Sequence, residues 1–156
     1  MVSNLYETLL AEIGSILGVS LFPDSNNSCL VKLKNGLRVQ FEMDPHGRQF
    51  ILGVDLGPVP SGQYRQTLFR EALRANGMPY PRLGTLAFSQ KTGHVVLFET
   101  MSPQDLNGER IAFRLFPLAE KALKWKDAIE HGEVPLIEAP ARGGLGRTMG
   151  LFGIRP

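Results

Sequence analysis

Residues 29–56 read CLVKLKNGLRVQFEMDPHGRQFILGVDL. Cys29, Val31 and Leu33 alternate with Leu30, Lys32 and Lys34; beyond Asn35-Gly36, Leu37, Val39, Phe41 and Met43 alternate with Arg38, Gln40 and Glu42. A period of two sends successive side chains to opposite faces, so the stretch reads as an antiparallel hairpin with one buried face. Asn-Gly normally signals a two-residue turn. That turn would set Leu33 opposite Arg38 and Val31 opposite Gln40, mixing core and solvent on one face. A three-residue loop, Lys34-Asn35-Gly36, instead pairs Leu33 with Leu37 and Val31 with Val39, and gives Gly36 the bulge position that needs positive φ. Asp44-Pro45-His46-Gly47 has the Pro second and Gly fourth of a type I turn. A third strand follows, roughly Gln49 to Leu56.

Outward from this hairpin the period changes. Between Ser3 and Leu17, Leu5, Leu9, Ile13 and Ile16 recur at helical spacing, with Tyr6, Leu10 and Leu17 widening the stripe. Ser3 is the expected N-cap and Gly18 the stop; Phe22 to Ser28 reads as a loop. Downstream, Gly57-Pro58-Val59-Pro60 breaks the sheet and Ser61 is placed to cap a second helix. Its broad face is Tyr64, Leu68, Phe69, Ala72 and Leu73, with Arg65, Arg70 and Arg74 polar and Gly77 ending it. A second hairpin, Thr85–Ser89 and His94–Thr100, turns at Lys91-Thr92-Gly93; the same bulged loop sets Phe88 opposite Val96 and Leu86 opposite Phe98. Ser102-Pro103-Gln104-Asp105 supplies an N-cap, a Pro at the first helical position and an acid at the third. The last helix carries Ile111, Leu115, Leu118, Ala122, Trp125 and Ile129 on one stripe, with Phe113, Phe116 and Leu123 outside it. Pro117 should kink it and Gly132 stop it. The order is α-β-β-β-α-β-β-α: an α+β fold with a twisted antiparallel sheet packed by helices. Residues 1–135 form the domain, and 136–156, rich in Gly, Pro and Arg, form a flexible tail.

The 156 residues are 43% apolar and 21% charged, ordinary for a globular chain. The formal charge of +2 comes from the tail: residues 1–135 hold 14 acids and 14 bases, whereas Arg142, Arg147 and Arg155 face only Glu138 beyond them. A neutral body without a basic stripe argues against nucleic acid. The lone Cys29 excludes an intrachain disulfide. No signal peptide precedes the first helix and no apolar run reaches the roughly 20 residues of a membrane span, so a bacterial cytoplasmic setting without membrane insertion is expected.

Chemistry-bearing patterns are missing. His46 and His94 flank hairpin turns and His131 closes a helix, with no cluster at metal-ligand spacing. Cys29 lies on the inward alternation of its strand, where a buried thiol has no cause for activation. Gly144-Leu145-Gly146-Arg147-Thr148-Met149-Gly150 lacks both the dinucleotide spacing and the P-loop Lys. No catalytic residue, metal or cofactor is expected. What remains is apolar surface in excess. Either it fills a monomer core, or it forms a homodimer with further grooves for a client.

The links GPVPSGQYRQTLFREALRANGM, GTLAFSQKTGHVVLFET and MSPQDLNGERIAFRLFPLAEKALKW, between Gly57 and Trp125, resemble in combination the CesT/SycE-type (class I) type III secretion chaperones. The resemblance covers about residues 3–132. It implies a homodimer that uses no ATP and binds the N-terminal segment of one or more secreted effectors in extended form, keeping it competent for export. Carried onto this sequence it places the dimer interface at Tyr64, Leu68, Phe69, Ala72 and Leu73. Effector grooves fall to the first helix and first three strands: Leu5, Leu9, Ile13, Val31, Leu33, Val39 and Phe41. Members of that family are commonly acidic, whereas this body is neutral, and the tail is an addition. The tail is free to rest on the body or to reach a client or the export apparatus. The competing reading is a protein-interaction or regulatory α+β domain outside secretion.

Overall fold

A computed structural model describes residues 2–79 and 82–137. Its elements, in chain order, are α1 (Val2–Leu17), β1 (Ser28–Lys32), β2 (Arg38–Met43), β3 (Phe50–Pro58), α2 (Gln63–Asn76), β4 (Thr85–Ser89), β5 (His94–Met101) and α3 (Gly108–Glu130). The five strands form one antiparallel sheet in the order β1-β2-β3-β5-β4. The expected α+β layout is the observed one.

The first hairpin has the expected bulged loop. Val31 pairs with Val39, the Leu33 N–H donates to the Leu37 carbonyl at 2.8 Å, and Gly36 sits at φ 85°. The second hairpin does not. Leu86 pairs with Leu97 and Phe88 with Val95, one residue away from the expected register. Ser89 pairs with His94, so the loop holds four residues, closed by the Gly93 N–H on the Ser89 carbonyl at 2.8 Å. Leu86, Val95 and Leu97 are therefore the buried set, while Val96 and Phe98 turn to the other face.

Helices α1 and α3 lie on the inner face of the sheet. Tyr6, Leu9, Leu10 and Ile13 of α1 meet Ile111, Leu115, Leu118, Ala122 and Trp125 of α3 and the inward residues Val39, Phe41, Leu52, Val54 and Leu97 in one buried cluster. Leu5 and Ile16 fall on the exposed flank of α1, so its buried stripe is the Tyr6 side of the broad face. The helices approach closely at Gly108, where a Cβ would stand 2.5 Å from that of Glu12. The Gly108 N–H donates to Glu12 Oε2 at 2.6 Å.

Three helix starts differ from expectation. Helix α1 is already running at Val2, ahead of Ser3. Helix α2 is entered through Gly62 at φ 121°, a backbone state that Gly adopts readily, with no side-chain cap, so Ser61 does not cap it. Helix α3 begins at Asn107, whose Oδ1 accepts the Arg110 N–H at 2.9 Å. Asp105, at φ 61°, interrupts the path that Ser102-Pro103 would have started. Beyond α3, Val134 of the body and Ile137, the second residue of the segment read as a tail, pack on the core, while Leu136 between them is exposed. Residues 138–156 lie outside the described residues.

Candidate protein-binding surfaces

The first surface is built by α2 against the edge strand β4. The rings of Phe69 and Phe88 stand 5.0 Å apart, and the Arg65 guanidinium covers the Phe88 ring at 4.9 Å. Leu68 faces inward and is 0% exposed, whereas Leu73, one turn on and rotated outward, is 72% exposed. Phe69, Ala72 and Leu73 with Leu86, Ala87, Phe88 and Val95 enclose an open apolar groove of about 250 Å³. Tyr64 lies at the start of the helix, its hydroxyl donating to the Glu133 carbonyl at 2.8 Å.

An edge strand exposes alternate backbone groups to pairing by another chain. On β4 the outward groups of Leu86 are taken by a side chain. Asn76 donates to the Leu86 carbonyl at 2.9 Å and accepts the Leu86 N–H at 2.8 Å, a side-chain imitation of a neighbouring strand. The Gly84 N–H just before the strand donates to Glu99 Oε1 at 2.9 Å, and Glu99 is in turn gripped by Arg114. Asn76 carries no sequence signal for this: it reads as an ordinary residue near a helix end.

The opposite edge is β1. At its start Ser28 exchanges hydrogen bonds with Asp24, which also accepts the Asn26 N–H. Further along, Val31 is paired to β2, so by antiparallel alternation the groups of Leu30 and Lys32 point away from the sheet. Large apolar side chains crowd this side: Leu30 is 60% exposed and Phe22 76%. Phe22 walls a second groove of about 440 Å³ with Ala11, Gly14, Val19 and Leu21 at the end of α1. Of the residues assigned to effector grooves, Leu9, Ile13, Val39 and Phe41 are buried in the core, Val31 and Leu33 are partly buried against it, and Leu5 is 42% exposed. Phe22 and Leu30 were not singled out; a Phe inside a polar loop and an outward Leu on an edge strand were the available signals.

The outer face of the sheet holds a third hollow, about 320 Å³, lined by Leu30, Ile51, Val96 and Phe98 and closed at one end by His94 and Asp55. His94 Nδ1 lies 2.8 Å from Asp55 Oδ1, and the same oxygen accepts the Gly57 N–H at the bulge of β3. The Cys29 thiol is pushed up in pKa, chiefly by burial, which disfavours the reactive thiolate. Among the described residues no group of His, Cys, Asp and Glu is arranged to hold a metal ion, and no helix is long and apolar enough to cross a membrane.

A half-covered antiparallel sheet with apolar grooves at both edges defines a protein-binding class of molecule. The chain belongs to the Tir chaperone protein (CesT) family, whose pattern it matches over residues 8–126. No curated protein matches it. Among solved structures it is similar to a chain of the HopA1–SchA chaperone–effector complex, at 20% identity over 81% of this chain and 96% of that one, with a TM-score of 0.65. It is also similar to a chain in the structure of the Yersinia pestis type III secretion chaperone SycH with a stable fragment of YscM2, at 21% identity over 76% and 97%, TM-score 0.59. A third is in the heterodimeric ExoU–SpcU complex of the Pseudomonas aeruginosa type III secretion system, at 20% identity over 84% and 99%, TM-score 0.60. At these identities the likeness is one of fold. With its family membership the chain is a type III secretion chaperone, a binder of effector protein whose family implies a non-enzymatic role.

Proposed function

We propose that this chaperone acts in the bacterial cytoplasm as a homodimer that holds the N-terminal segment of a secreted effector in extended form, without ATP. The observation that carries the reading is the contrast between the two sheet edges. The β4 edge is apolar on the α2 side, and the outward backbone groups of Leu86 are occupied by Asn76, which favours side-chain packing over strand addition there. This suits a self-complementary interface made by Phe69, Ala72 and Leu73, with Tyr64 at its margin and Leu68 supporting it from beneath. The β1 edge turns the backbone groups of Leu30 and Lys32 outward next to the exposed Leu30 and the part-buried Val31 and Leu33, which suits strand addition by an extended client, and the exposed Leu5 and Phe22 are assigned to the same client surface. Leu9, Ile13, Val39 and Phe41 would then serve as the floor of that site.

The test is light scattering on the chain alone and after co-expression with candidate type III effectors of the same bacterium. Two chains of 17.2 kDa alone, and two chains with one client bound through its N-terminal segment, are the expected masses. A monomer that captures no client overturns the reading. Replacing Leu30 by Lys should abolish client capture while leaving the mass of the free chaperone unchanged.

A further inference from the structure

The outer side of the first hairpin gathers positive charge on a body whose charges balance. Lys32 on β1 stands directly opposite Arg38 on β2, and Lys34 follows in the loop between them; all three are exposed. Leu33 and Leu37 share a hydrogen bond and Val31 faces Val39 two residues back. Lys32 and Arg38 are therefore a pair without ladder hydrogen bonds, the kind in which side chains stand closest. Like charges directly opposite destabilise a strand pair. Among the described residues none of the three enters an ion pair. Asp55, one residue beyond the Val54 that pairs with Val39, turns its carboxylate to His94 and the Gly57 N–H. Glu42, at the far end of β2, accepts from the Gln40 amide at 3.2 Å. The same outer face carries Leu30, 60% exposed and two residues from Lys32.

We propose that the client strand added to β1 carries an acidic side chain beside Lys32, two residues from an apolar side chain seated on Leu30. This rests on the strand-addition reading above and names the chemistry of its client. The register follows from the edge. The outward backbone groups of Ser28 are taken by Asp24, which leaves Leu30 and Lys32 as the outward positions of β1. A residue paired across from Lys32 turns its side chain to the outer face, and the residue two along sets its own beside Leu30. The residue between them turns to the inner side, next to the part-buried Val31. Apolar, apolar, acidic over three consecutive residues, in either chain direction, is the client signature. Arg38 lies two strand spacings from the added acid, roughly 10 Å, a gap that the long side chains of Arg and Glu span between them. A lysine on an edge strand also keeps other strands away. Arg38 is not on the edge, so guarding alone does not account for the pair. A phosphate ligand would use the cations but neither Leu30 nor the outward backbone groups, and three cations fall short of the stripe that nucleic acid needs.

The probes are fluorescein-labelled peptides Thr-Leu-Val-X-Val-Leu-Thr, with Glu, Gln or Lys at X, whose sequence reads alike in both chain directions. Fluorescence anisotropy against the full-length chain at low salt should show the Glu peptide binding about two- to tenfold more tightly than the Gln peptide, and the Lys peptide most weakly. Lys32→Glu should reverse the order, and Arg38→Glu should shrink the preference. Lys124→Glu, an equal change of net charge on the exposed side of α3, should leave the order as it was. Equal binding of the three peptides overturns the acidic-client inference and leaves strand addition standing. A preference for Glu that Lys124→Glu removes as fully as Lys32→Glu also overturns it, since the charge of the whole molecule would then be the cause. No binding of any peptide overturns strand addition at β1 together with the inference built on it.

Discussion

Asp44 shows how one side chain sets a turn. Its carboxylate accepts the N–H of Gln49 at 2.9 Å and that of Arg48, while the Gly47 N–H closes on its own carbonyl at 2.9 Å. The Gln49 N–H, with those of Arg48 and His46 behind it, holds the carboxyl below the usual range for Asp. A carboxyl depressed by folding contributes stability that is complete above its unfolded value of about 3.9 and is lost as pH falls through the folded value. Asp44→Asn should therefore melt below the parent at pH 6, and the two melting curves should converge as pH drops below about 4. A gap that stays constant from pH 6 to pH 2.5 would remove this role. The turn itself was legible from Asp-Pro-x-Gly. The three-way grip of its carboxylate was not, because it depends on where β3 leaves the turn. Asn76 is similar: its chemistry is that of an amide, and only the packing of α2 against β4 brings it to Leu86.

At the scale of elements, the two hairpins explain where pattern reading succeeds. In the first, apolar and polar residues alternate cleanly, so only one register keeps Val31, Leu33, Val39 and Phe41 on one face. In the second, Val95-Val96-Leu97-Phe98 is apolar at every position, and the alternation that selects a register is absent. The register is decided by what lies beneath: Leu97 is fully buried against α3, and Gly84 leaves room there that a Cβ would lose to Leu118 at 2.7 Å. Leu97→Ala should cost about 2–5 kcal/mol in chemical denaturation. Phe98→Ala should cost much less, since Phe98 lies on the outer face. The opposite ranking would return the hairpin to the bulged register. Helix α3 was legible through its stripe, but its start was not, because the contact of Gly108 with Glu12 spans two elements far apart in sequence.

Across the whole molecule, Leu68 and Leu73 separate packing from association. Both belong to the broad apolar face of α2, but Leu68 is buried and Leu73 exposed. Leu68→Asp places an unpaired charge in the core and should unfold the chain, seen as loss of a cooperative melt. Leu73→Asp should leave the melting curve nearly unchanged and shift the mass by light scattering from dimer to monomer. A Leu73→Asp chain that stays dimeric would move the interface elsewhere. By itself the sequence determined the element order, the α+β class, the register of the first hairpin and the stripe of α3, because these follow from local periodicity and turn chemistry. It also carried the resemblance to the secretion chaperones. Only the tertiary structure decided which residues of an apolar face are core and which are surface, the register of the second hairpin, and the capture of the Leu86 backbone by Asn76. Those depend on contacts between elements distant in the chain, and no local pattern encodes the side from which a neighbour arrives.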